Sequence, residues 1–293
     1  MRATLEFRYV DVFADTPFSG SGLMVLFGST ASAGARALIS VTAEMRQFEL
    51  ILVDSQPESA RVGAGIRVAA RIFTPQEELL FAGHPVLGAA AALHERYAGD
   101  EAGQSWLFVI AGREIAVRSR RTDGYYEAEM NQGPAALATP LGDRDAARLA
   151  AALGLGAGDL HLLPMQVAST GLPYLIVPVS EGLSRARIAV DDFGAQLAGV
   201  GAKFVYVFDP DKREGRSWDN AGASEDVATG SAAGPAAAFL AAHGLAARNE
   251  TVVISQGRFL GRPSLITVTP DSQGEMWVGG PVAPVARGTV DLP

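Results

Sequence analysis

The chain has no cysteine, only two lysines and only four histidines in 293 residues, and these scarcities remove whole classes of chemistry. Without thiols there is no disulfide, no thiolate nucleophile, no thiol-based metal site and no two-thiol racemase mechanism. Lys203 and Lys212 stand in neither a P-loop nor a Schiff-base setting, which argues against a nucleotide hydrolase or a pyridoxal enzyme. His84, His94, His161 and His243 lack HExxH-type spacing, so no metal site is expected. No apolar run reaches the roughly 18 residues of a membrane span. The N-terminal MRATLEFRYVDVF alternates apolar and polar residues where a signal peptide would be continuously apolar, and a cytoplasmic protein is expected. A net charge of −8 argues against a nucleic-acid or anionic-membrane partner. The local basic cluster Arg118, Arg120 and Arg121 reads as a solvated strand edge.

Two glycine-rich stretches organise what is there. Residues 225–240, EDVATGSAAGPAAAFL, place two carboxylates and a Gly-Ser pair ahead of an Ala-rich helical run. Residues 78–93, ELLFAGHPVLGAAAAL, repeat the plan: Gly83-His84 answers Gly230-Ser231, and Gly88 answers Gly234. Each reads as a loop ending on a helix N-terminus, whose free N–H groups favour an anion. Their spacing, about half the chain, predicts an internal duplication with two Gly-rich helix starts facing a shared cleft.

The remaining pattern is α+β. Strands are expected over 3–13, LMVLF, ELILVD, IRVAARIFTP, WLFVI, EIAVRSR and YYEAEM, with a hairpin turn at Asp123-Gly124. Helical periodicity covers 36–48 and about 143–154, and GPAALATPLGD is the candidate linker. The second half follows with MQVAST, PYLIVPV, KFVYVF, VVISQG, SLITVTP and EMWVGG as strands around the second Ala-rich helix. The clusters GLGAG (154–158) and GVGAK (199–203) follow helical runs and read as C-caps, not dinucleotide loops.

Glu49 lies between Phe48 and Leu50, where a helix gives way to an apolar strand. A carboxylate desolvated there has its pKa raised towards the range useful for acid-base work, whereas a solvated edge glutamate does not. His84, at a presumed helix start, is either a hydrogen-bond donor to substrate or a structural histidine. Asp226 could orient a histidine or accept a substrate amine or hydroxyl; equally, Glu225-Asp226 could be helix-capping acids. Ser231 lacks the GxSxG elbow and reads as a donor or cap, not a nucleophile.

Taken together, VDVFADTPFSG, AEMRQFELILV, RIFTPQEELLFAGHPVLGAA, EDVATGSAAGP, QGRFLGRPSL and RGTVDL resemble the PhzF-like isomerases of phenazine biosynthesis, relatives of the diaminopimelate epimerase fold. The resemblance implies two similar domains, each a mostly antiparallel sheet wrapped around a central helix, with the active site in the interdomain cleft. On that plan 1–135 forms the first domain and 136–293 the second, with the chain ends able to cross between them. It also implies a homodimer with no metal or organic cofactor and a small carboxylate-bearing substrate. Glu49 would shuttle a proton within an unsaturated cyclic amino acid, assisted by His84, Asp226 and Ser231. Gly83 and Gly230 would meet the substrate carboxylate. The implied reaction is isomerisation of trans-2,3-dihydro-3-hydroxyanthranilate. The competing readings are an isomerase of another diene amino acid, a one-base epimerase or lyase, and a non-catalytic small-carboxylate binder. The chain reads Gly20-Ser21-Gly22 where such proteins usually continue Gly-Asn-Pro.

Overall fold

Short apolar runs between glycines and prolines become strands, and the two Ala-rich runs become buried helices, in a computed structural model that describes residues 4–56, 61–62 and 65–293. The strands are β1 (Thr4–Val12), β2 (Ser21–Gly28), β3 (Leu50–Asp54), β4 (Arg61–Val62), β5 (Gly65–Phe73), β6 (Glu78–Leu79), β7 (Gly103–Ile110), β8 (Arg113–Arg121) and β9 (Tyr126–Pro134). Then come β10 (Ala136–Leu137), β11 (Gln166–Ser169), β12 (Pro173–Pro178), β13 (Phe204–Asp209), β14 (Glu214–Arg216), β15 (Val252–Gln256), β16 (Ser264–Pro270) and β17 (Glu275–Asp291). The α-helices are α1 (Ala35–Glu44), α2 (Gly83–Leu93), α3 (Asp143–Ala152), α4 (Phe193–Ala198) and α5 (Gly230–Ala242).

The chain divides into two compact units, Met1–Asn131 with Gly279–Pro293, and Gln132–Val278. In the first, β1 pairs antiparallel with β2, β2 parallel with β3, β3 antiparallel with β5, β5 parallel with β7, and β7 antiparallel with β8. β8 continues antiparallel to β9. The last part of β17 runs antiparallel to β1, from Val12↔Val282 to Thr4↔Asp291. That pairing draws residues 279–293 into the first unit. Alternation marks a strand but not the strand it will join.

The second unit repeats the order. β11 pairs antiparallel with β12, β12 parallel with β13, β13 antiparallel with β14, β14 parallel with β15, and β15 antiparallel with β16. A short helix, α1 or α4, fills the crossover between the first parallel pair in each unit. The Ala-rich helix, α2 or α5, fills the second crossover. The sheets are therefore mixed, antiparallel with two parallel pairs in each series.

Each Ala-rich helix is buried along nearly its whole length, as a helix apolar on every side must be. α2 lies against β1, β2, β3 and β8, and α5 against β10, β11, β12 and β16. Gly88 permits this approach: a Cβ there would strike Leu23 and come within 3.0 Å of Val10 and Val12. On the other sheet face of the first unit, Leu38 and Val41 of α1 pack on Met24, Leu26, Leu50 and Leu52. Because β3 is covered on both faces, LILV is continuously apolar. The corresponding second-unit layer joins Leu149, Leu153, Phe193 and Leu197 to Leu175, Val177, Val205 and Val207.

Helix α1 is shorter than its periodicity suggests. It ends at Glu44, Arg46 takes a left-handed φ of 51°, and Phe48 is left 69% exposed. This turn delivers the chain into β3 with Glu49 at its mouth. The arginines of β8 face carboxylates, Arg118 with Glu129, Arg120 with Glu127 and Arg121 with Asp100, and so form ion pairs on the strand surface. Gly154 (φ 68°) and Gly201 (φ 77°) follow α3 and α4 in the left-handed conformation of helix C-termini.

Candidate active site

In the first unit, Glu49 immediately precedes β3, whose first residue is pinned by Met24 on one side and Phe73 on the other. The residue is 7% exposed. His84 is the second residue of α2, and its Nδ1 lies 3.2 Å from Glu49 Oε2. The helix enters from Ala82 in extended conformation, no side chain caps it, and Pro85 follows with no N–H to offer. The N–H groups of Gly83 and His84 thus head an uncapped helix start, with the positive end of its dipole.

Burial pushes the His84 pKa down to about 4, so the ring is neutral near pH 7. Proximity alone would allow an ion pair, but burial keeps the imidazole uncharged, so the 3.2 Å approach sets a neutral ring beside the carboxyl group. The ring nitrogen Nε2 accepts in the tautomer that carries its proton on Nδ1. It is buried and has no hydrogen-bond partner among the described residues. A carboxyl group and an uncharged imidazole therefore sit together at an uncapped helix start.

In the second unit, the 225–231 loop is held from beneath. The Asp226 carboxylate accepts hydrogen bonds from Thr229 Oγ1 (2.9 Å) and from the Ala228 N–H (3.2 Å). Burial raises its pKa against the opposing pull of those two donors. Gln256, 1% exposed, donates through Nε2 to the Asp226 carbonyl (2.8 Å) and to Thr229 Oγ1 (2.9 Å). Its Oε1 accepts from the Thr229 N–H (3.2 Å) and the Tyr206 hydroxyl (3.1 Å). Gln132 Nε2 donates to the Gly230 carbonyl (3.1 Å), and the hydroxyls of Ser231 and Tyr174 lie 2.6 Å apart.

Two local expectations are corrected. Glu225 and Asp226 do not cap α5, whose N-cap position is Thr229 with no side-chain cap bond. Glu225 instead forms a two-pronged ion pair with Arg216, at 2.8 and 2.6 Å, over the rings of Trp218 and Phe259. Arg216 lies on β14, nine positions before Glu225, and only the turn between them brings the two together. Nor does Asp226 orient a histidine: its carboxylate partners are Thr229 and Ala228.

Sequence reasoning missed Tyr174, Gln132 and Gln256, which look like ordinary strand residues until register brings them under the loop. His94 is structural, bonded to Ser119 (2.8 Å) and the Glu101 carbonyl (2.9 Å). Among the described residues no cluster of three or more His, Asp or Glu could hold a metal. A groove of about 470 Å³ in the first unit, lined by Glu95, Asp100, Arg121 and Tyr126 among others, contains none of the candidate residues.

A family model described as "Phenazine biosynthesis-like protein" matches residues 10–288. The chain belongs to this PhzC–PhzF family. A trans-2,3-dihydro-3-hydroxyanthranilate isomerase of Pseudomonas fluorescens is 32% identical, with 97% of this chain and 98% of the relative covered. An "uncharacterized isomerase" of Escherichia coli O157:H7 is 30% identical over 89% of this chain and 88% of its own. Among solved structures, a "predicted epimerase" of Pseudomonas aeruginosa superposes with a TM-score of 0.86 at 45% identity, covering 98% of this chain and 99% of that one. A hydroxyproline epimerase of Agrobacterium vitis shares the fold, with a TM-score of 0.62 at 14% identity over 100% of this chain and 94% of its own. The PhzF relatives thus include isomerases, and the wider fold includes epimerases.

Proposed function

We propose that the protein is a cofactor-independent isomerase that moves a proton within a small unsaturated cyclic amino acid, with trans-2,3-dihydro-3-hydroxyanthranilate as its substrate. The observation that carries this reading is the Glu49–His84 pair, 3.2 Å apart and nearly buried at an uncapped helix start. Glu49 removes a proton from a carbon conjugated through a diene to the substrate carboxylate. The carbon keeps the electron pair, which delocalises along the diene towards the carboxylate. Glu49 then returns the proton to a carbon further along, so double bonds shift and composition is unchanged.

The Gly83 and Gly230 helix starts and the Ser231 hydroxyl receive the growing negative charge, which they stabilise more in the transition state than in the ground state. His84 Nε2 and the Asp226 carboxylate hold the substrate amine or hydroxyl as acceptors.

The test is incubation of the purified protein with trans-2,3-dihydro-3-hydroxyanthranilate, with products followed by NMR. Conversion to a product with shifted double bonds supports the reading. Inversion of one centre with the diene in place would replace it with a one-base epimerase. Unchanged substrate in the presence of folded protein would reject this substrate.

A further inference from the structure

Tyr174 is absent from the machinery described above, yet it is 4% exposed and its hydroxyl lies 2.6 Å from Ser231 Oγ. Its backbone is fixed twice over, by Ala168 across the antiparallel β11 register and by Phe204 across the parallel β13 register. The ring leans on Phe204, with centroids 5.5 Å apart. The phenol can therefore hardly move without disturbing the sheet.

The direction of this hydrogen bond follows from proton accounting. A phenol and a serine each carry one hydroxyl proton, and only one of them can lie between the two oxygens. If Ser231 donated, the Tyr174 proton would be buried without an acceptor, at the cost of an unsatisfied polar group. If Tyr174 donates, its proton is used and the Ser231 proton is turned outward, at a half-buried residue in the first turn of α5. Burial and the nearby Asp226 charge raise the Tyr174 pKa, so the phenol keeps the proton this arrangement needs.

We infer that Tyr174 is a positioning residue: it commits the Ser231 hydroxyl to donating and so makes the α5 start select a carboxylate over a neutral amide. This rests on the proposed carboxylate-binding role of that helix start and deepens it. A carboxylate only accepts hydrogen bonds, so a donor fixed by its neighbour favours it. A serine free to rotate could serve either partner.

The experiment measures binding, not turnover, and therefore stands or falls apart from the isomerase assay. Anthranilate and anthranilamide, which differ only in carboxylate against amide, are titrated into wild type, Tyr174→Phe, Ser231→Ala and the double variant. Wild type should prefer anthranilate. Tyr174→Phe should weaken anthranilate binding by about five- to tenfold, the net scale of one ordinary hydrogen bond, and change anthranilamide binding by less than about twofold. In the Ser231→Ala background the tyrosine substitution should add nothing. Ser231→Ala alone should erase most of the preference, which keeps the inference testable should Tyr174→Phe fail to fold. The inference is overturned by equal wild-type affinities, by an equal loss for both ligands in Tyr174→Phe, or by a tyrosine effect that persists without Ser231.

Discussion

Replacing Gln256 by leucine should unfasten the 226–231 loop and cost about 3–5 kcal/mol. The side chain is almost fully buried and makes four hydrogen bonds, two as donor and two as acceptor. At a net value of about 1 kcal/mol each these sum to about 4 kcal/mol. Leucine fills similar space and gains apolar burial, but it leaves the Tyr206 hydroxyl orphaned. That hydroxyl belongs to a fully buried ring packed so closely on Gly215 that no side chain fits there. The assay is urea unfolding, read as a fall in midpoint at constant slope, with Gln273→Leu at an exposed site as a control expected within about 0.5 kcal/mol of wild type. Adding Tyr206→Phe to Gln256→Leu should recover about 1–2 kcal/mol by removing the stranded group. A loss for Gln256→Leu below about 1 kcal/mol, or no recovery in the double variant, would refute the network as the loop's support.

Three further outcomes follow from the same geometry. His84 titrates near pH 4 when folded and near 6.5 when unfolded, so between these values the unfolded chain binds more protons. Stability should therefore fall as pH drops through that window, by roughly 3 kcal/mol in full, and urea midpoints of His84→Asn should lack that component. Glu225→Ala strands the Arg216 charge among Trp218 and Phe259 and should cost about 3–5 kcal/mol in urea unfolding. Gly88→Ala should cost about 1–3 kcal/mol by overpacking against Leu23, Val10 and Val12, despite the better helix propensity of alanine. The control for Gly88→Ala is Gly34→Ala, which faces open space and should leave the thermal midpoint nearly unchanged.

Much of the architecture could be read from the sequence because local and global signals agree. The paired loops Gly83-His84 and Gly230-Ser231 each begin a buried Ala-rich helix, and the same order of strands and helices recurs around them. Helix α1 was overextended because Met45 and Phe48 continue its periodicity although they lie beyond its end and are exposed. No local pattern announces the register of the C-terminal strand with β1, which joins opposite ends of the chain. Glu49 stood out as a charge in an apolar frame. Tyr174, Gln256 and Arg216 did not, because their roles come from contacts spanning 57, 27 and 9 positions.

The central claim, that Glu49 carries the proton, is tested most directly by running wild type and Glu49→Gln in deuterated water with trans-2,3-dihydro-3-hydroxyanthranilate. Glutamine keeps the size of the side chain and removes the base. The account predicts that the variant folds as wild type does but loses at least about 100-fold in turnover. It also predicts that wild-type product carries less than one deuterium at the reprotonated carbon, because the shielded carboxylate returns part of the proton it took. Wild-type turnover that survives in Glu49→Gln within about tenfold would contradict the account.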